Sequence, residues 1–256
     1  MTDWNTALYL KFERERTQAA LDLLAKISHP DPKLIVDLGC GPGNSTELLR
    51  RRYPHAEIVG IDFSQDMLAA AKTRVPSARF EKQDIQSWRP HQKIDLIFAN
   101  AALQFVPDHH LLLARLMDCL DEGGCLAVQM PDNMQEMSHA LIRMISADGP
   151  WSERLVPVAK TRARIAPPED YYQLLSRDCQ NIQLWTTTYV HPLTSVDSIV
   201  EWFEGSGLRP FLALLSADER VNFLSRYRAE LEQAYAVQPD GKVLLNYPRL
   251  FFIAQK

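Results

Sequence analysis

Cysteine is scarce in this chain. The four copies, Cys40, Cys119, Cys125 and Cys179, form no C-x-x-C pair, so neither a zinc site nor a disulfide framework is indicated and a reducing cytoplasm is the expected compartment. No apolar run approaches the ~18 residues that a membrane-spanning helix needs. The opening stretch, "MTDWNTALYLKFERERT", is polar from its second residue and holds no signal-peptide core. A basic excess is missing as well. The formal net charge of -4, with no basic run, argues against a nucleic-acid partner. That charge also does nothing to draw in an acidic metabolite, so any such attraction must be local. There is no internal repeat and no low-complexity tract. What remains is 256 residues, 46% hydrophobic and 23% charged, enough for one globular domain over 1–256 that buries about three quarters of its unfolded surface.

Glycine is sparse too, yet three of the ten crowd into five residues. In "IVDLGCGPGNSTELL" (35–49), Leu34, Ile35, Val36 and Leu38 make a short apolar run suited to a strand buried on both faces. Asn44 or Ser45 is placed to cap the helix that follows, with Glu47 in its first turn. Between strand and helix, Gly39, Gly41 and Gly43 expose bare amides to whatever lies in the turn. The spacing is G-x-G-x-G. It matches neither the G-x-G-x-x-G of dinucleotide enzymes nor a phosphate-binding P-loop, because no G-K-[ST] follows. Asp37, just ahead of the glycines, repels a pyrophosphate but attracts an ammonium or a sulfonium. Asp62 ends a second strand, "AEIVGID", where an acidic residue reads a pair of ribose hydroxyls. Asp84, in "ARFEKQDI", is placed to accept from an adenine amino group. Three carboxylates around one turn describe a pocket for a cationic nucleoside without phosphates, which S-adenosylmethionine (SAM) fits. Cys40 reads as a small residue that tolerates crowding.

Strand and helix patterns alternate along the chain, the signature of a parallel sheet wrapped by helices. Strands are predicted near 34–38, 57–61, 78–82, 94–99 and 124–130, with helices near 44–53, 65–74 and 109–120. A helical pattern over 6–27 precedes the first strand and is broken by "SHPDPK". After Pro131 the pattern changes: helices near 135–147 and 167–178, a sixth strand at 181–193, helices near 195–205 and 216–235, and a final strand over 242–256. The interior Pro248 of that strand marks a bulge or an edge. The expected architecture is a doubly wound, mostly parallel, seven-stranded α/β sheet. Its ligand-binding core lies at about 30–131, and segments 132–180 and 194–240 cover the carboxyl ends of the strands, where such sheets bind ligands. His109 and His110 read as exposed residues of a helix-capping turn.

"VDLGCGPGNST", "GIDFSQDML", "FEKQDIQSW", "DLIFANAALQFVPD" and "LDEGGCLAVQMP" resemble, in order, the motifs of the class I SAM-dependent methyltransferases, a Rossmann-like family. "DWNTALYLKFERERT", "MPDN", "GLRPFL" and "YPRLFFIA" are similar to the branch of that family that methylates trans-aconitate. The resemblance implies that Gly39, Cys40 and Gly41 line the methionine part of SAM, with Asp37 beside them. It assigns Asp62, Phe63 and Met67 to the ribose, Asp84 and Ile85 to the adenine, and Asn100 to the rim near the methionine end. It also implies carboxyl methylation of a small polycarboxylic acid. Another small or carrier-bound acid, or SAM binding without transfer, stay open from the residues alone.

A carboxylate acceptor is ionised at neutral pH, so no general base and no metal are expected and no catalytic residue is assigned. A tricarboxylate does need cations and donors in place of its water, because burying a carboxylate unpaired costs several kcal/mol. Arg249 in "NYPRLFF" and Arg209 in "GLRPFL" are the first candidates, ahead of Arg162 and Arg164 in a predicted loop. Tyr247, Tyr9 and His191 are candidate donors, and Trp4, Tyr9 and Phe12 are candidate aromatics to fold over the bound cofactor.

Overall fold

The computed structural model describes residues 11–161 and 165–256. They fall into two compact units. The core unit holds residues 14–131, 165–187 and 249–256, and the helical unit holds the described parts of 1–13 and 132–164 together with 188–248.

The core unit opens with helix α1 (Glu13–Ala25), then alternates β1 (Leu34–Leu38), α2 (Asn44–Arg52), β2 (Glu57–Asp62), α3 (Gln65–Arg74), β3 (Arg79–Lys82), β4 (Ile94–Asn100), α4 (His109–Cys119) and β5 (Leu120–Pro131). Helix α7 (Pro168–Leu175) follows later in the chain. Strands β6 (Asn181–Leu193) and β7 (Val243–Gln255) each contribute residues to both units. The sheet order is β3-β2-β1-β4-β5-β7-β6. The pairs from β3 to β5 are parallel and β7 runs antiparallel to β5. Parallel strands put all their carboxyl ends on one edge, so β1 to β4 deliver the glycine turn, Asp62, Asp84 and Asn100 to the same rim. One face of the sheet is apolar because helices cover it: Leu38, Ile61, Ile97, Leu126, Val128 and Phe252 share one buried cluster with Leu112 and Leu116 of α4. Tyr171 and Leu175 of α7 belong to that cluster, and Tyr171 stacks on Phe252 with centroids 5.5 Å apart.

The helical unit contains α5 (Met137–Ala147), α6 (Ser152–Thr161), α8 (Val196–Glu204), α9 (Arg209–Leu212) and α10 (Ala217–Ala234). Ser216 and Glu219 close a reciprocal capping box that fixes where α10 starts. Trp202, Phe203, Phe211, Phe223, Tyr227 and Leu231 are fully enclosed in its own core. Each large apolar side chain buried there contributes roughly 1.5–3 kcal/mol. Trp151 packs edge-on against Phe223 and donates from Nε1 to the Ile145 carbonyl at 2.8 Å.

Three features differ from the sequence pattern. Helix α6 carries Pro157 within it, which interrupts the periodicity that would have revealed it. Helix α9 is a single turn, too short to show a period. Pro248 marks no sheet edge, since β7 lies between β5 and β6. It falls one residue past the last β5–β7 pair, Pro131 with Arg249, so its missing N–H takes nothing from that ladder.

Candidate active site

The glycine turn is tied to the end of β2. Gly39 N–H and Cys40 N–H both donate to the Ile61 carbonyl, at 2.8 and 3.0 Å, and Gly41 N–H donates to Asp62 Oδ2 at 3.0 Å. Gly39 has φ +70° and admits no side chain: a Cβ there would lie 2.4 Å from Ala102 Cβ. Gly41, at φ +53°, is the reverse case, since a Cβ there would meet no atom within 4 Å. The backbone at Gly41 therefore borders open space, where a ligand can lie against it. Ile85 approaches the same turn, its Cδ1 3.5 Å from the Gly39 Cβ position.

Asp37 lies beneath this turn, fully buried. Its Oδ2 accepts from Ser45 Oγ at 2.8 Å and Thr46 Oγ1 at 2.6 Å, while its buried Oδ1 meets no donor among the described residues. Burial pushes the Asp37 carboxyl up to about 6, against the pull of Thr46 and Ser45 and with help from the Asp62 charge. Asp62 accepts from Gly41 N–H and, at 2.9 Å, from Ser64 N–H. Burial raises its carboxyl as well, opposed by backbone N–H groups of Ser64, Gly41 and Phe63. The Cys40 thiol is driven well above its usual range by burial and by both carboxylates, which makes it packing rather than a nucleophile.

At the rim, Asp84 is exposed, and its Oδ1 takes Gln86 N–H at 2.8 Å. Phe63 is exposed and Met67 is buried behind the Ser64 cap of α3. Asn100 ends β4, its buried Oδ1 also without a donor among the described residues. The next residue, Ala101, sits at φ +53°, a conformation that costs a non-glycine residue about 1–3 kcal/mol, and is held by a 2.9 Å bond from its N–H to the Gln129 carbonyl.

Register sorts these side chains by face. Asp37 pairs with Gly60 and Phe98, Asn100 with Gln129, and Pro131 with Arg249. Alternation then puts Asp62, Asp37, Asn100, Gln129 and Arg249 on one face of five neighbouring strands, each about 4.8 Å from the next strand. The row runs from acidic to basic. Its acidic end, with two buried acceptors lacking a donor and open space at Gly41, fits a cationic nucleoside with a ribose diol.

The acid-binding candidates divide between the units. Arg249, 2% exposed in the core unit, donates from Nη1 to Gln129 Oε1 at 3.0 Å. His191 and Tyr247 belong to the helical unit, in an aromatic cluster with Tyr189 and Trp202; the His191 ring lies 5.2 Å from Trp202 and 6.1 Å from Tyr247. Arg209, half-buried, begins α9. Phe12 packs on Trp202 at 4.9 Å, so it belongs to that hydrophobic core. Trp4, Tyr9, Arg162 and Arg164 lie outside the described residues.

Two expectations are corrected. Neither Asn44 nor Ser45 caps α2: Gly43 holds the cap position at φ +88°, and the Ser45 and Thr46 hydroxyls turn to Asp37 instead. His109 is not an exposed capping residue. Its Nε2–H donates to the Leu103 carbonyl at 2.8 Å and its Nδ1 accepts from the buried Tyr171 hydroxyl at 2.6 Å, pinning the segment after β4 to α7. Asp108 is the cap of α4, and His110 is exposed as expected. Thr46 and Gln129 have no role in the sequence pattern, and Ser45 has only that of a cap. A polar residue inside an apolar strand was the signal available for Gln129.

A family model described as a methyltransferase domain matches residues 35–124. The chain is 49% identical over 257 residues to the trans-aconitate 2-methyltransferase of Variovorax paradoxus (strain S110), covering 100% of this chain and 99% of that protein. It is 51% identical over 256 residues to the enzyme of that name from Methylobacterium nodulans, with 100% and 99% coverage. Among solved structures, the YcgJ protein of Bacillus subtilis superposes with a TM-score of 0.59 at 13% identity, covering 93% of this chain and 98% of that one. Haemonchus contortus phosphoethanolamine N-methyltransferase 2, in complex with phosphomonomethylethanolamine and S-adenosylhomocysteine, gives 0.55 at 19% identity, covering 93% of this chain and 52% of that one. These two likenesses support the fold alone. Identity near one half over full length does more: the chain belongs to the trans-aconitate 2-methyltransferase family.

Proposed function

We propose that this chain transfers the methyl group of SAM to a carboxylate of trans-aconitate, giving a monomethyl ester. The observation that carries the reading is identity near one half, over full length, to relatives named for that reaction. The acidic-to-basic row on one face of the sheet agrees with it, because the reaction joins a cationic donor to an anionic acceptor.

Bound SAM supplies a methyl group made electrophilic by its sulfonium. The residues supply position. The Asp62 carboxylate keeps lone-pair capacity beyond its backbone donors and can accept from the ribose hydroxyls. Asp37 and Asn100 offer acceptors towards the ammonium end, and Gly39, Cys40 and Gly41 give the backbone its close approach. Phe63 and Met67 flank the ribose, and Asp84 and Ile85 the adenine. A carboxylate acceptor brings no proton to remove, so no residue needs to act as a base. Holding its oxygen in line with the methyl and excluding water can supply roughly 7–11 kcal/mol of the barrier. Arg249, buried at the carboxyl edge of the sheet, anchors one carboxylate of the acid. Arg209, Tyr247, His191 and Tyr9 are further candidate contacts. The cytoplasm is the proposed compartment; among the described residues no helix is long and apolar enough to cross a membrane.

Incubation with methyl-labelled SAM and a panel of small carboxylic acids, read by mass spectrometry, tests this. A labelled monomethyl ester of trans-aconitate, formed with the highest kcat/KM in the panel, is expected. Preferential labelling of a carrier-bound or monocarboxylic acid, or binding of SAM with no labelled product, would overturn it.

A further inference from the structure

Gln129 is the one member of the row with no ligand contact assigned to it. It lies near the end of β5, fully buried, paired in register with Asn100 of β4 and Phe251 of β7. Its carbonyl accepts from Ala101 N–H and its side-chain Oε1 accepts from Arg249 Nη1 at 3.0 Å. The side-chain orientation is thereby fixed, because a guanidinium can only donate and the oxygen must face it. The amide nitrogen is then left pointing elsewhere, and Nε2 is buried with no acceptor among the described residues. An unsatisfied buried donor is destabilising, a cost that leucine, of similar size, would not carry. That hydrogen is available to a ligand.

What takes it must present an acceptor to Nε2 while tolerating, or needing, a guanidinium next to it. A carboxylate meets both conditions with its two oxygens, whereas an ester or an amide offers one weaker acceptor and no charge. A cation is excluded by Arg249. We infer that Gln129 and Arg249 together form a carboxylate-binding pair, in which Gln129 orients the guanidinium through Oε1 and donates through Nε2 to the same carboxylate of the acceptor acid. Gln129 is then a specificity residue for a second, unreacting carboxylate, and the pair selects polycarboxylates over acids with only the reacting group. The inference rests on the reading of Arg249 as an acid anchor. It adds that the anchor is two-pronged, and that its second prong is an uncharged amide.

Gln129→Leu and Gln129→Glu test it. Leucine removes both the donor and the Arg249 acceptor. Glutamate keeps shape and the Arg249 contact, so the fold is retained, but turns a donor into an anion. For trans-aconitate, KM should rise about tenfold in the leucine variant, the equivalent of one lost hydrogen bond to a charged group. It should rise further in the glutamate variant, with kcat within threefold and SAM affinity within twofold in both. Calorimetric titration of trans-aconitate into the enzyme with S-adenosylhomocysteine separates this inference from the proposed function. Acid that binds the parent but not the variants supports the pair even if no ester is ever formed. Equal acid affinity in parent and both variants overturns it. So does a loss that falls on SAM binding rather than on the acid, which would assign the pair to the carboxylate of SAM.

Discussion

Replacing Asp37 by asparagine separates the stability of the fold from its function. The Asp37 carboxyl ionises near 3.8 when solvated and at about 6 in the folded protein, chiefly through burial. Between those values the folded state holds a proton that the unfolded state has released. Stability therefore falls as pH rises through the window and is level above it. The full difference is about 3 kcal/mol, of which about 1.4 kcal/mol falls between pH 5 and pH 7. Asparagine does not titrate there. It can keep the bonds from Ser45 and Thr46 through its oxygen, at the cost of leaving an amide N–H where Oδ1 now lies. The melting temperature of Asp37→Asn relative to the parent, measured without SAM, should thus climb by about 3–6 °C from pH 5 to pH 7.

Affinity for SAM should move the opposite way. At an effective dielectric of about 20, opposite unit charges about 6–8 Å apart attract by roughly 2–3 kcal/mol, the scale expected if Asp37 faces the cofactor cation. The variant should bind SAM some thirty- to a hundredfold more weakly at pH 7.5. The parent should lose affinity as pH falls below about 6, by up to tenfold per unit, while the variant stays flat. Calorimetry and thermal melts at matched pH give both readouts. A variant with parental affinity, or a melting difference independent of pH, would refute the assignment of Asp37 as the charge beneath the cofactor.

Asp62→Ala should weaken SAM binding by about 1.5–3 kcal/mol by calorimetry, the worth of hydrogen bonds to a charged group, and unchanged affinity would remove Asp62 from the ribose site. Arg249→Ala should lower kcat/KM for trans-aconitate at least tenfold, on the order of 1.4 kcal/mol, with SAM affinity within about twofold. Arg249→Lys should recover only part, because a point charge cannot reproduce a two-pronged contact. If Arg249→Ala instead loses SAM binding and soluble yield together, the residue is structural. Tyr171→Phe leaves His109 Nδ1 without the hydroxyl it accepts from and removes an acceptor 3.3 Å from Ala166 N–H, so thermal melting should show a loss of about 1–3 kcal/mol. An unchanged melting temperature would mean the Tyr171–His109 bond contributes nothing.

Much of the fold was legible because its signals are local. The apolar run at 34–38, the glycines after it and the recurrence of strand and helix every few residues each lie within one element. Asp62 was legible for the same reason, as the last residue of a strand beside a glycine turn. Partnerships across the sheet were not. Nothing near Gln129 in sequence announces Arg249, 120 residues away, because their contact depends on β7 inserting antiparallel beside β5. The exposed reading of His109 failed similarly: two histidines after Asp108 suit a solvated helix start, and only the later α7 brings the Tyr171 hydroxyl to Nδ1.

The location of charge shows why the site tolerates so much buried polarity. A chain with net charge -4 has no long-range field to gather an acid, and a uniformly basic pocket would reject a cationic cofactor. Grading the charge along one face of the sheet meets both demands, since each neighbouring strand shifts the local sign by one side chain: Asp62 and Asp37, then Asn100 and Gln129, then Arg249. The two amides in the middle are as necessary as the charges at the ends. A carboxylate in place of Gln129 would pair with Arg249, and an arginine in place of Asn100 would pair with Asp37 on the next strand, so in both cases the protein would satisfy itself and leave less for its ligands. Neutral amides hold the carboxylates and the arginine apart while keeping an unused acceptor at Asn100 and an unused donor at Gln129 among the described residues.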